Sequence, residues 1–446
     1  MKIRLIISAL FFASTVTAAV YGQAVPAGVA TISPGPSPIA LDGVLHYALS
    51  ASEIAQLGYF GPGEVTASTT LSGDVAYASK SLARPFSLTF AGGVVLPNQS
   101  GQGVSTYQNL SVSQGYITQH WAFNLSDTFS FLPESPTTGL SGIAGVGDIG
   151  VLPVPGPGSG PAGGVLTDSG DVYTNSVTGS VARQITAKTS ISGSGAWTVL
   201  HFLDANSGGL DDSQISGTVS ANRRLNARSS ASLSAVYSVF DYSGPEAGLT
   251  SPNIETRALN VMYQRLLSRT LSVSGTVGPE WVSSSNGELI PSSLIVSGNA
   301  SLLYSRRNTN ASLTYSRGIN GGSGVLPGSL SDSVTFGAGR SYGRDWFFSI
   351  NGAYTRSAGL TDLQGVNSLE GTPNPLTPVH EVFNTVYGGV EARRRIGNNL
   401  SGYLNYTIEN QTTNYSLGAQ NASTGTSHTF GIGISFAPRA IHLGQL

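Results

Sequence analysis

The side chains best equipped for chemistry are six histidines: His46, His120, His201, His380, His428 and His442. A catalytic or metal-binding imidazole needs partners at set spacing, such as a second imidazole one helical turn away. No two of the six stand at such a spacing. Cysteine is absent, which removes disulfides, thiol nucleophiles and thiolate metal ligands. No G-x-S-x-G nucleophile turn stands between a strand and a helix. An enzyme is therefore not the expectation, and no cofactor is expected.

The carboxylates carry more information. Glu134, Asp148 and Asp168 are the only charges of the Gly- and Pro-rich segment 134–170, the longest without strand patterning. Loops of that length are often functional. This one is a candidate constriction, and an outward flap is the alternative. Asp127 shares parity with Trp121, Phe123, Leu125, Phe129 and Phe131. A carboxylate among such neighbours is costly in lipid. Either a bulge turns it inward, or it meets a partner chain.

These residues must be carried by strands. Leu271, Val273, Gly275 and Val277 alternate with Ser and Thr, and Trp346, Phe348, Ile350, Gly352 and Tyr354 repeat the pattern. Period two with one apolar face is strand periodicity. Eighteen such windows run from 44–52 to 425–437. Most are about 13 residues long, which at ~3.3 Å per residue and a tilt near 40° spans ~33 Å, enough for an apolar band of ~25 Å. The other face is Ser, Thr, Gly and Asn, suited to a hydrated interior. Aromatics collect near both strand ends: Tyr77, Phe86, Trp121, Tyr263, Tyr304 and Trp346 on one side, Phe129, Phe131, Trp197, Tyr242, Trp281 and Tyr354 on the other. Two such belts are what interfacial anchoring predicts.

Composition agrees. Only 10% of the 446 residues are charged, against about 25% in an ordinary soluble domain, while the apolar share of 40% is ordinary. A formal net charge of −2 gives no basic field for nucleic acid. Lys2 and Arg4, the apolar run Leu5 to Ala13 and the small residues Gly22-Gln23-Ala24 read as a secretory signal over 1–24. Of the 20 basic residues that remain, 17 fall in short connections or the tail. They include Arg183, Lys188, Arg223, Arg224, Arg228, Arg265, Arg269, Arg306, Arg307, Arg340, Arg344, Arg393, Arg394 and Arg395. The long connections are Gly-rich and mildly acidic. Short turns of bacterial barrels face the periplasm and long loops face outward, so these residues are expected to form a periplasmic basic rim.

The last strand carries Thr429, Gly431, Ile434 and Phe436 at the spacing of polar, Gly, hydrophobic and aromatic residues. This resembles the C-terminal assembly signal of Gram-negative outer-membrane barrels, and the resemblance implies insertion by the barrel assembly machinery. The tail from Ala437 departs from it, since many barrels end on the aromatic. Segments such as Ser135–Gly142 and Arg340–Trp346 resemble a group of acidobacterial outer-membrane proteins, a likeness that implies no activity. General porins resemble this chain in having one long loop, which in them folds into the barrel.

The expectation is an all-β, transmembrane, antiparallel up-and-down β-barrel of about 18 strands, with 16 as the neighbouring count. Its parts are a signal peptide (1–24), a Pro-rich periplasmic segment (25–41), the barrel (42–437) and a periplasmic tail (438–446). The expected location is the Gram-negative outer membrane, with both termini periplasmic. The expected function is passive diffusion of small hydrophilic solutes. A non-conducting surface scaffold or adhesin, or the outer component of an export system, is the alternative. Outer-membrane lipid, the assembly machinery and small solutes are the expected partners, with a homo-oligomer left open.

Overall fold

The computed structural model describes residues 43–58, 65–98, 104–133, 171–203, 210–243, 253–285, 287, 290–321, 326–360, 381–414 and 424–442. The expected signal segment, the Pro-rich segment and loop 134–170, with Glu134, Asp148 and Asp168, lie outside them.

The elements are β1 (Val44–Leu57), β2 (Val65–Ala78), β3 (Phe86–Pro97), β4 (Ser105–Ile117), β5 (Trp121–Pro133), β6 (Asp171–Thr186), β7 (Thr189–Phe202), β8 (Asp211–Arg224) and β9 (Ser229–Ser243). There follow β10 (Asn253–Leu266), β11 (Leu271–Ser284), β12 (Ser293–Arg306), β13 (Thr309–Asn320), β14 (Ser329–Tyr342), β15 (Trp346–Gly359), β16 (Val382–Arg395), β17 (Leu400–Thr413), β18 (Gly425–Phe436) and the two-residue β19 (Ile441–His442). Each strand from β1 to β17 pairs antiparallel with the next, and β18 pairs with β1, so the sheet closes. Among the described residues there is no helix.

Closure follows from the solvent. Hydrocarbon offers no partner to a backbone N–H or C=O, so a strand can span it only in a ladder without edges. Following the register from strand to strand returns to β1 displaced by about 22 residues, which for eighteen strands gives a tilt near 40° and a backbone diameter of ~35 Å.

β1 continues to Leu57, beyond the expected end at residue 52, and pairs to its end with both β2 and β18. Its apolar alternation breaks at Glu53 and Ile54, where the carboxylate lies on the outward face and the isoleucine on the inward one. Glu53 is tolerated because Thr69 Oγ1 donates to it at 2.6 Å. The tail is not free. Leu49 of β1 opposes Phe436, the last residue of β18, and the tail then resumes pairing one residue out of register, with Leu45 opposite Ile441 and Val44 opposite His442.

Parity sorts the wall. Leu125, Ile215, Val219, Leu259, Val261, Val277, Leu294, Val296, Leu404, Phe430, Ile432 and Ile434 lie exposed on the outside. Ser, Thr, Asn and Gln of opposite parity face inward. The register of β5 with β4 and β6 is unbroken through Asp127. No bulge turns this residue inward, contrary to one of the two expectations. Asp127 stays exposed on the outer face, where Asn175 Nδ2 donates to it at 2.8 Å.

Deleting residues 438–446 is expected to bare the first residues of β1 and lower stability by about 1–2 kcal/mol through lost ladder bonds. Urea unfolding of the barrel followed by tryptophan fluorescence checks this.

Candidate functional site: the lumen and its loop-side mouth

Much of the inner wall is bonded through neutral groups. Hydroxyls of neighbouring strands bond across the ladder: Ser192 to Ser220 at 2.7 Å, Ser274 to Ser301 at 2.6 Å, Ser316 to Ser333 at 2.7 Å, Ser331 to Ser357 at 2.9 Å and Ser176 to Thr198 at 3.0 Å. Ser50 and Ser72 do the same. At the seam Gln56 Nε2 donates to Ser427 at 2.8 Å, and Thr385 Oγ1 donates to Gln411 at 2.7 Å. Such pairs keep buried polar atoms partnered while leaving the wall uncharged.

Carboxylates interrupt this wall. Asp74, Asp212, Glu280 and Glu409 have inward parity and are partly or fully buried. The inward basic side chains among the described strands are Arg224, Arg393 and Arg395, all at the short-turn end. Arg393 bonds Glu391 at 3.1 Å and lies 5.7 Å over the Tyr403 ring. Arg224 and Arg395 are held on turn carbonyls, of Asn226 in the first case and of Gly397 and Asn398 in the second.

The loop-side mouth is narrowed from within. β12 pairs with β13 only from Gly298 to Arg306, so Ser293–Ser297 find no partner on β13. Above Arg317 the β13–β14 hairpin leaves the wall and tips into the lumen. The Glu280 carboxylate receives it, accepting bonds from Ser297 and Thr256 and from the Ile319 backbone N–H. Beyond the turn, Gly328 has φ +76°, and a Cβ there would strike Ile254. A Cβ at Gly321 would collide with the Asp212 carboxylate, so the tip reaches as far as β8. Phe240, Tyr242, Ile254, Val282, Ile290 and Ile319 form a buried apolar cluster under it, with Ile295, Leu330 and Leu360 packed against it. Tyr242 thus faces inward and does not belong to the loop-side aromatic belt expected from its position.

This tip, Glu280 and Asp212 escaped the sequence reading. The signals were an acid at inward parity in a strand, and apolar Ile319 and Leu326 flanking a Gly-rich loop. The structure brings the rim residues Arg183, Lys188, Arg223, Arg224, Arg228, Arg265, Arg269, Arg306, Arg307, Arg340, Arg344, Arg393, Arg394 and Arg395 to one end of the barrel, all exposed except the half-buried Arg393. Thr429 and Gly431 face the lumen and Ile434 and Phe436 face out. Gly431 has no Cβ because Asn405 occupies that space.

An eighteen-stranded closed barrel with an apolar outside and a polar inside is the architecture of outer-membrane proteins. No known family model matches the chain, and no curated protein matches it. Among solved structures it is similar to OccK2 (OpdF) of Pseudomonas aeruginosa in complex with glucuronate, at 10% identity and a TM-score of 0.41 over 89% of this chain and 98% of that one. The outer membrane protein OprD of the same organism is 12% identical, with a TM-score of 0.39 over 94% and 98%. The ferric citrate transporter FecA is 10% identical, with a TM-score of 0.35 over 84% of this chain, which spans 60% of FecA's length.

Glu280→Ala is expected to release the hairpin tip and leave the barrel folded. Three bonds are lost, about 2–3 kcal/mol of local stability, and hydrogen exchange at the Ile319 amide should rise accordingly. Glu381, outside the strands, is buried, and burial pushes its carboxyl above the ordinary value of 4.5. Its backbone carbonyl accepts from Gly359 N–H at 2.8 Å, beside Leu326 of the tip. The neutral form favours the folded mouth, so docking is firmest below the ordinary value and weakens as pH rises through the shifted one. Exchange at residues 326–330 should show this, and Glu381→Gln should flatten it.

Proposed function

We propose that the protein is a Gram-negative outer-membrane channel for passive diffusion of small hydrophilic solutes, with the β13–β14 hairpin tip narrowing its mouth. The observation that supports this is the predominance of inward Ser, Thr, Asn and Gln inside a closed barrel of eighteen strands. A barrel of that size leaves an aqueous lumen unless something fills it. Inward Asp74, Asp212, Glu280 and Glu409 lie away from the inward arginines, which favours small cations over anions. Screening within about 10 Å keeps this preference modest.

In this reading the short turns face the periplasm, the signal segment 1–24 is removed, and Thr429, Gly431, Ile434 and Phe436 present the last strand to the assembly machinery. Glu134, Asp148 and Asp168 of loop 134–170 remain a second candidate constriction.

In planar bilayers the purified protein should give discrete conductance steps. In a salt gradient the reversal potential should carry the sign of cation preference. Replacing residues 319–328 by a short Gly-Ser turn should raise single-channel conductance, and deleting 134–170 should raise it again if that loop enters the lumen. Absence of conductance in the parent and both variants would sink the channel reading and favour a surface scaffold or a component of an export system.

A further inference from the structure

Strand parity divides the arginines of the short-turn end into two sets. Arg224, Arg393 and Arg395 face inward and are held by protein acceptors. Arg183 of β6, Arg223 of β8, Arg265 of β10, Arg306 of β12, Arg340 of β14 and Arg394 of β16 have the parity of the lipid-facing side chains. Each lies within three residues of its strand's end. Every descending strand from β6 to β16 thus ends in one outward guanidinium, which with strands ~4.8 Å apart places one about every 10 Å along the belt.

Two further observations bear on what they meet. Among the described residues no carboxylate lies within ion-pair distance of these six. Of the three outward arginines of the loop side two differ: Arg257 pairs with Glu255 at 3.0 Å and Arg317 with Asp332 at 2.7 Å, while Arg356 has no ion pair among the described residues. The second observation fixes depth. Trp121 stands directly across the ladder from Arg183, and Trp346 directly across from Arg394. The guanidinium carbons lie 5.1 and 5.3 Å from those ring centroids. Outward tryptophans settle where acyl chains meet headgroups, so guanidiniums stacked on them lie at the level of lipid phosphates. A planar guanidinium with its fork unused is matched to a phosphodiester.

We propose that these six arginines form a recognition belt for anionic phospholipid headgroups, carrying a phosphodiester and no compensating ammonium, in the leaflet on the short-turn side. The proposal rests on the membrane placement above but not on conduction. The belt enriches such lipids around the barrel and fixes its vertical position. The sign asymmetry of the rim is then in part a lipid contact, not only a field along the lumen.

The test uses the full barrel, with Trp197→Phe and Trp281→Phe leaving Trp121 and Trp346 as its only emitters. It is reconstituted in phosphatidylcholine vesicles doped with equal mole fractions of brominated phosphatidylglycerol or brominated phosphatidylcholine. The anionic quencher is expected to be enriched at the two tryptophans by about threefold or more at low salt, with the excess lost at high salt. Converting all six arginines to Gln should abolish the excess, and heat-modifiable gel migration should report that variant folded. Equal quenching by the two lipids in the parent overturns the proposal, with no need of the variant. So does an excess that survives the six substitutions. Replacing chloride by inorganic phosphate at matched ionic strength should leave the excess unchanged. Its loss there would assign the belt to free phosphate and overturn the lipid source. A barrel that conducts without lipid preference refutes this proposal alone, and one with the preference that never conducts refutes only the channel.

Discussion

A backbone amide in hydrocarbon has no water to bond, and the rest of this molecule depends on that constraint. It forces strands into a ladder with no free edge. The ladder fixes a side-chain period of two, and the period separates an outside that meets lipid from an inside that does not. The chain therefore needs few charges. The seam where β18 meets β1 completes the ring, and Ile441 and His442 extend it along β1 after a one-residue slip. That extension covers Val44 and Leu45, which no other part of β18 reaches.

The same period explains a wall that is polar yet nearly neutral. A Ser or Thr opposite another on the next strand satisfies both hydroxyls without a charge, as Ser192 and Ser220 do at 2.7 Å. One of the carboxylates inside has a structural role. Glu280 holds the backbone of Ile319 and so binds the hairpin tip to the wall. The tip departs from the wall only where β12 stops pairing with β13, so the narrowing of the mouth follows from a local failure of the ladder. Apolar side chains from β9, β10 and β11 cover the gap in the pattern with a cluster that lipid never touches.

Strand count and position were legible because alternation is a local property that every spanning strand must show. Windows placed on alternation fall within a few residues of the observed strands. The far end of β1 was not legible, because Glu53 and Ile54 reverse the polarity of the two faces. Tyr242 lies near a strand end, as a belt residue would, yet its parity turns it inward. Its even number sets it against Leu233 and Tyr237, which face out. Asp127 needed a partner 48 residues away, Asn175, and only the register of β5 with β6 brings the two together. The docked hairpin tip lay beyond sequence reading for a similar reason. Its contacts with Asp212 and Ile254 are tertiary, and a Gly-rich loop carries no period from which they could be read.

Charge sorting between the two ends was the feature most open to two physical accounts, and parity separates them. A rim arginine that faces the lumen directs its charge there, and three do: Arg224, Arg393 and Arg395. All three are already engaged by protein oxygens, Arg224 through one bond and Arg393 and Arg395 through two each. The six outward arginines have no such partner and stand where dielectric falls from water to hydrocarbon. Coulombic interactions gain strength as dielectric falls. The larger electrostatic consequence of the rim is therefore radial, between the barrel and the leaflet around it, and the axial field felt by a solute is the smaller one.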